Sequence, residues 1–303
     1  MENQIIEEKP FNYSLFYGLV IGITILLTLY IIILYIRLRM SMKNKDPEII
    51  KAITYPCYLN IFLSGSILIN NLLRVIRFGS SKKDFSCEFQ AFCLMLFDKM
   101  IILSLTVNAY LTYRGLSDNQ YYMNNIKKLF VVSYCIAFIV SILSAVLFIS
   151  QGVVRNDNIC YGQETQFKNI YENVMNSFIF LINLFCNLKS MLFVVNITKE
   201  LVLKKIDIKA YRRHYIRMLL TIYVSGALFA ISFLIINNSL FTTDNYIDLS
   251  YVTACLLVNL FFTVNSMTIR ETLILFGCKK REIPEEVGPM LDTSEEKEML
   301  YES

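Results

Sequence analysis

Two adjacent charges, Asp98 and Lys99, interrupt the apolar run 89–113. Ionisable side chains at bilayer depth are costly, so they mark ligand sites, ion paths or internal locks. A second set is amides in apolar surroundings: Asn70, Asn71, Asn108, Asn183, Asn187, Asn259 and Asn265. Amides hydrogen-bond between helices in lipid. Asn70, Asn108 and Asn265 sit at depths that let them meet in one network, first for packing and second as a switch. Conventional catalysis has little to work with. His214 is the only histidine, and no paired-carboxylate motif or glycine-rich phosphate loop occurs. The residues point to no enzyme, metal site or cofactor, and to no nucleic-acid partner.

The chain must place these groups in a membrane. It has 303 residues, 55% of them hydrophobic and 18% charged, with a mean hydropathy of +0.49. Soluble domains carry about 25% charged residues, spread along their helices; here the charges clump between long apolar stretches. A spanning helix needs about 20 mostly apolar residues. Seven candidates meet that length: Tyr13–Ile36, Ala52–Leu73, Phe89–Tyr113, Leu129–Ser150, Ile170–Ile197, Tyr215–Asn237 and Tyr246–Ile269. With the N-terminus outside, the cytoplasmic segments up to Arg281 hold 19 Lys and Arg and the outer segments 7. That asymmetry orients the chain N-out and C-in. The outer basic stretch Arg74–Lys83 is the dissenter. The expected fold is an all-α seven-transmembrane helix bundle, N-terminus outside. Residues 1–12 are read as extracellular, 13–271 as the membrane domain, 272–281 as a short amphipathic eighth helix and 282–303 as a cytoplasmic tail. No signal peptide precedes the first span, which reads as an uncleaved anchor.

Orientation then sorts the eight cysteines. Cys57, Cys93, Cys135, Cys186 and Cys255 lie in apolar spans and read as small buried hydrophobes. Cys87 opens the third span and Cys160 lies in the next outer loop. Both face the oxidising side, which permits a disulfide across the mouth of the bundle; two free thiols are the alternative. Asp98 and Lys99 follow Cys87 by 11 and 12 residues, about 17 Å down a helix. Neighbouring helical residues point about 100° apart, so at least one should find a partner on another helix. A ligand or lock role stands beside a structural ion pair or a snorkelling Lys99. Lys189 reads as snorkelling to the inner face, and Glu172 as exposed near the outer end of the fifth span.

Seven spans, N-out topology and the Cys87/Cys160 placement resemble the G-protein-coupled receptor superfamily, over about residues 13–280. Asn60-Ile61-Phe62-Leu63 followed by Asn70 resembles the rhodopsin-like second helix, with Asn70 at its sodium-binding Asp position. Asn265-Ser266-Met267-Thr268-Ile269, with Phe276 beyond, is similar to a degenerate junction into an eighth helix. The departures are specific. Proline occurs only at 10, 47, 56, 284 and 289, and Trp is absent. The Asp/Glu-Arg-Tyr position falls on Leu111-Thr112-Tyr113, with Arg114 just beyond. The short termini, absent switch motifs and Asn158-Ile159-Cys160-Tyr161-Gly162 resemble orphan receptors encoded by gammaherpesviruses. The Ile/Asn/Lys/Tyr-rich composition suggests an AT-rich genome, which also fits protists.

The resemblance implies a plasma-membrane, multi-pass receptor (a host cell membrane if viral). Its partners would be a heterotrimeric G protein, membrane lipids, and an unknown extracellular ligand or none. Asp98 and Lys99 would line the ligand pocket. Tyr113, Arg114, Lys204, Lys205, Arg212, Arg213 and Ile269 would face the G protein, although positive-inside bias yields the same basic residues. Loss of the Arg lock would raise basal signalling. Cys278 beside Lys279 and Lys280 is a palmitoylation candidate, and Asn12-Tyr13-Ser14 a glycosylation acceptor that touches the membrane. A transporter or channel using Asp98 and Lys99 is the alternative.

Overall fold

The computed structural model describes residues 11–41, 47–75, 85–156, 159–163, 165–203 and 244–260, with scattered single residues elsewhere. The continuous elements of the described chain are α1 (Phe11–Ser41), α2 (Pro47–Val75), α3 (Phe85–Ser117), α4 (Asn119–Ile149), β1 (Val153–Asn156), β2 (Ile159–Gly162), α5 (Gln166–Leu203) and α6 (Asp244–Val258). Of these, α1 to α5 contain spans long and apolar enough to cross a membrane. The protein is thus an all-α bundle with the architecture of a multi-pass membrane protein. Six described residues of the sixth apolar run, Ile216, Leu219, Ile222, Tyr223, Gly226 and Ala227, are helical. The seventh run contributes α6, which continues as a π turn at Asn259 and Leu260.

The helices α1, α2, α3, α4 and α5 each outlast the apolar run that announced them. The third run, 89–113, became the 33 residues of α3, about 50 Å against a hydrocarbon core of about 30 Å. Intrahelical hydrogen bonds do not stop where the lipid does. Pro47 opens α2, a position where its missing N–H costs nothing. Between α3 and α4 the expected inner loop, 114–128, shrinks to one joint. Asp118 closes α3 through its N–H to the Arg114 carbonyl, at 3.1 Å. Its carboxylate accepts from the Tyr121 N–H at 2.9 Å and starts α4, as a capping acid does.

The bundle is built around α3, whose buried residues include Cys87, Leu94, Ile101, Leu105 and Leu111. Leu63 and Ile67 of α2 pack with Ile101 and Leu105 and with Ala254, Cys255 and Val258 of α6. Elsewhere on α3, Met100, Val107 and Leu111 meet Leu59 of α2 and Phe130 and Tyr134 of α4. In contrast, α4 turns Val131, Ile136, Phe138, Ile139 and Leu143 outward. A helix that exposes so much apolar surface needs a nonaqueous neighbour.

A buried amide links three helices across this core. The Asn259 amide donates to Thr28 Oγ1 at 2.7 Å, and its carbonyl accepts from Ser64 Oγ at 3.4 Å. It joins α1, α2 and the end of α6, with Asn259 and Ser64 both fully buried. Interhelical bonds of this kind stabilise membrane bundles by about 0.6–2 kcal/mol each. Asn259→Ala is therefore expected to lower the thermal midpoint of detergent-solubilised protein by several degrees. Leu257→Ala, at an outward position, should move it little in the same melting experiment.

Candidate functional site

The site begins with the hairpin at one end of the bundle. Gly152 lets the chain turn out of α4, with φ +105. An added Cβ there would meet the Gln163 Oε1 at 2.8 Å, so glycine is required twice over, by conformation and by space. Strands β1 and β2 pair antiparallel, with Arg155 opposite Cys160. Cys160 is bonded to Cys87 at the start of α3, Cα to Cα 5.4 Å. Both cysteines are fully buried, against Ala91 and Val153. Gln90, one turn below Cys87, reinforces the junction. Its amide donates to the Leu73 carbonyl of α2 at 2.8 Å. Its carbonyl accepts from the Cys160 N–H at 3.2 Å. Lys168 of α5 donates to the Gly162 carbonyl at 2.9 Å. The hairpin is thus fastened to α2, α3 and α5.

Below it lies a layer of paired charges. Lys99 donates to Glu172 Oε2 at 2.6 Å and to Asn176 Oδ1 at 2.5 Å. The Asn176 amide donates to the same Glu172 oxygen at 2.9 Å, closing a ring of three. On the other side of α3, Asp98 accepts from the Asn70 amide at 2.6 Å and pairs with the Arg74 guanidinium at 3.6 Å. Arg74 Nε in turn donates to Asn70 Oδ1 at 2.9 Å. Its guanidinium lies over the Tyr251 ring at 4.9 Å, which adds α6.

The two halves share one design. Each charge of α3 meets an amide and an opposite charge spaced i, i+4 on a neighbouring helix. Such a pair presents one face. Because Asp98 and Lys99 point about 100° apart, one reaches α2 and the other α5. The layer is neutral, with two cations against two carboxylates. Side-chain exposure is 4% for Lys99 and 10% for Glu172, but 29% for Asp98.

Several expectations are corrected here. Glu172 is buried, not exposed, because α5 begins at Gln166 and carries it nearly two turns into the bundle opposite Lys99. Arg74 belongs to the last turn of α2, where it is buried, and not to an outer basic loop. Lys99 does not snorkel; it ends on Glu172 and Asn176. Asn70 bonds to Asp98, Arg74 and the Leu94 carbonyl, and not to Asn108. Asn108 stands ten residues beyond Asp98 on α3, about 15 Å away along the axis. Among the described residues, the amide that crosses deeper in the bundle is Asn259, bonded to Thr28 and Ser64. Asn187 bonds Asn183 within α5, so that pair joins no helices.

At the other end of α3, Tyr113 and Arg114 are half-buried. The Arg114 guanidinium lies 4.9 Å over the Tyr121 ring of α4, and its Nε is buried without a hydrogen-bond partner. Lys189 is exposed on α5, over the Phe185 ring at 5.7 Å. Asn265, Lys204, Lys205, Arg212, Arg213, Ile269 and Cys278 lie outside the described residues, as does the side chain of Asn12. Among the described residues, no three His, Cys, Asp or Glu side chains converge as metal ligands. Gln90, Arg74 and Asn176 were missed as site residues. Their available signal was spacing: Gln90 follows Cys87 by one turn, and Arg74 and Asn176 stand four residues from Asn70 and Glu172. No protein-family model matches the chain, and no curated protein matches it.

Proposed function

We propose that the chain is a seven-helix membrane signalling protein of the G-protein-coupled receptor kind, N-terminus outside and C-terminus in the cytoplasm of the plasma membrane. The observation that carries this is the Cys87–Cys160 bond, which pins a hairpin to the first turn of α3 above a buried polar layer. A fastened outer end and a helix-linking layer beneath it suit a molecule that converts changes at one face into helix movement at the other. The inner cavity would be bounded by Tyr113, Arg114, the 199–217 segment and Ile269, and would open as the sixth helix moves outward. A heterotrimeric G protein would dock there.

Two features support raised basal activity. The lock position reads Leu111-Thr112-Tyr113 in place of an acid and arginine. Among the described residues Arg114 forms no ion pair and rests on the aromatic ring of Tyr121. A transporter or channel would need Asp98 and Lys99 to offer charge to a passing solute. Their engagement by Arg74 and Glu172 weighs on the side of a receptor. The test is a G-protein activation panel in transfected cells. Wild type should exceed empty cells for at least one G-protein class, and Cys160→Ser should fall towards background. Wild type no higher than empty cells across the panel sinks the proposal.

A further inference from the structure

We infer that the inner end of the α1, α2 and α4 surface binds an anionic phospholipid, its headgroup between Arg39 and Lys127 and its acyl chain along the aromatic side of α2.

The spacing on α2 builds the apolar part. Tyr55, Tyr58, Phe62, Gly65 and Ile69 follow one another in steps of three and four, so they share one side of the helix. Phe62 and Ile69 are exposed inside the span Thr54–Val75, so that side meets lipid. A Cβ added at Gly65 would meet nothing within 4 Å, which leaves an open notch between the two. Phe130 and Tyr134 of α4 lean on the same side. Their rings and those of Tyr55, Tyr58 and Phe62 form one patch, neighbouring centroids 4.8–6.3 Å apart.

Charge comes from both flanks. Arg39, in the last turn of α1, is exposed, and its guanidinium sits 4.8 Å from the Tyr58 ring centroid. Lys127 is exposed on α4, one turn before Phe130 and on its side of the helix. Helical side chains tilt towards the N-terminus, which for α4 is the same end of the patch. Among the described residues neither cation forms an ion pair. The α1 span ends at Met40 and the α2 span begins at Thr54, so both cations stand at headgroup level.

An aromatic belt with snorkelling cations is the ordinary arrangement at an interface. Lys189 shows it on α5, exposed over the single Phe185 ring at 5.7 Å. The α2/α4 patch differs: five rings gather between two helices, with an unpaired cation on each side. A neutral lipid would leave both cations unanswered, so charge complementarity selects the anionic class. The sequence adds Arg37, Lys43, Lys45 and Lys51 around Arg39, against Asp46 and Glu48. Basic clusters just cytoplasmic of a span attract anionic lipids. Assigning the lipid to the inner leaflet rests on the N-out orientation of the receptor reading; binding at the patch does not.

Trp is absent from the chain, so Phe62→Trp places a sole indole in the groove. The purified full-length protein is reconstituted in phosphatidylcholine vesicles holding a minor share of one brominated lipid: phosphatidylserine, phosphatidylcholine or a sterol. Quenching then reports which lipid occupies the groove. Phosphatidylserine should be preferred over phosphatidylcholine about fivefold, the worth of one cation near the surface. Adding Arg39→Gln/Lys127→Gln should bring the two phospholipids close to parity. Adding Lys189→Gln/Lys199→Gln instead, which removes the same charge from exposed positions elsewhere, should leave the preference intact. Parity in the protein carrying Phe62→Trp alone overturns the inference, and needs no charge variant to fold. Stronger quenching by the sterol than by phosphatidylserine also overturns it, as does equal loss in the two double variants. Both leaflets carry the probe, so the result does not depend on orientation. A protein that activates no G protein but keeps the lipid preference would lose the receptor reading and retain this site.

Discussion

Glu172→Leu alone is expected to remove most folded protein from the membrane, and Lys99→Met in the same chain to bring it back. The single change strands the Lys99 ammonium, on a side chain 4% exposed, with only the Asn176 carbonyl to answer it. Breaking one side of a buried ion pair costs about 3–5 kcal/mol. At 1.4 kcal/mol per factor of ten, that is about a hundred- to several-thousand-fold in the folded-to-unfolded ratio. Whole-domain stability is only about 5–15 kcal/mol, so the loss should show directly as a vanished monodisperse peak in detergent extracts. Lys99→Met/Glu172→Leu removes both charges and should recover most of the peak, since an apolar pair replaces a buried ion pair at little cost. Asp98→Asn should be far milder. Its side chain is partly exposed, an amide can still accept from Asn70, and the buried Arg74 keeps Asn70 Oδ1 and the Tyr251 ring. Equal damage from Asp98→Asn and Glu172→Leu would show that the two halves of the layer do not differ as described.

Cys160→Ser has the second large expected effect. The bond closes a loop across a sequence separation of 73 residues. Chain-entropy accounting puts such a closure at about 4 kcal/mol. Helices held in a bilayer are already restricted, so about 2–4 kcal/mol is expected here. The loss should centre on the hairpin, where the Cys160 N–H to Gln90 contact depends on the anchor. A non-reducing peptide map of wild type should show the Cys87 and Cys160 peptides linked. The variant should melt earlier and reach the surface in smaller amount. A map without the linked peptide, or a variant indistinguishable from wild type, contradicts the anchored hairpin.

Much of the bundle was legible because membrane solvent writes long, simple signals. An apolar run of 24 residues such as Tyr13–Ile36 has few folded alternatives. Cys87 and Cys160 were legible because only the oxidising side permits their bond. The 100° offset between Asp98 and Lys99 likewise foretold a partner on another helix for at least one of them, though not which partner. Those partners follow from rotation and vertical register, which apolar periodicity leaves free in lipid. Glu172 near a span boundary reads as exposed until the start of α5 is known. Asn70 reads as a deep amide until Arg74, one turn away, shows that the end of α2 lies level with Asp98. Helix ends were illegible for a related reason: polar flanks such as 114–117 stay helical without an apolar pattern to announce them, and Asp118 reveals itself as a cap only beside Tyr121.

The most direct test of the receptor reading is one proteoliposome preparation assayed in two ways. Purified wild-type protein is reconstituted, and guanine-nucleotide exchange on added heterotrimeric G protein is followed alongside solute and ion flux across the same vesicles. Exchange above protein-free vesicles, with flux at the protein-free level, is the predicted result. Flux above that level with no stimulated exchange would contradict it and make the layer around Asp98 and Lys99 part of a conduction path.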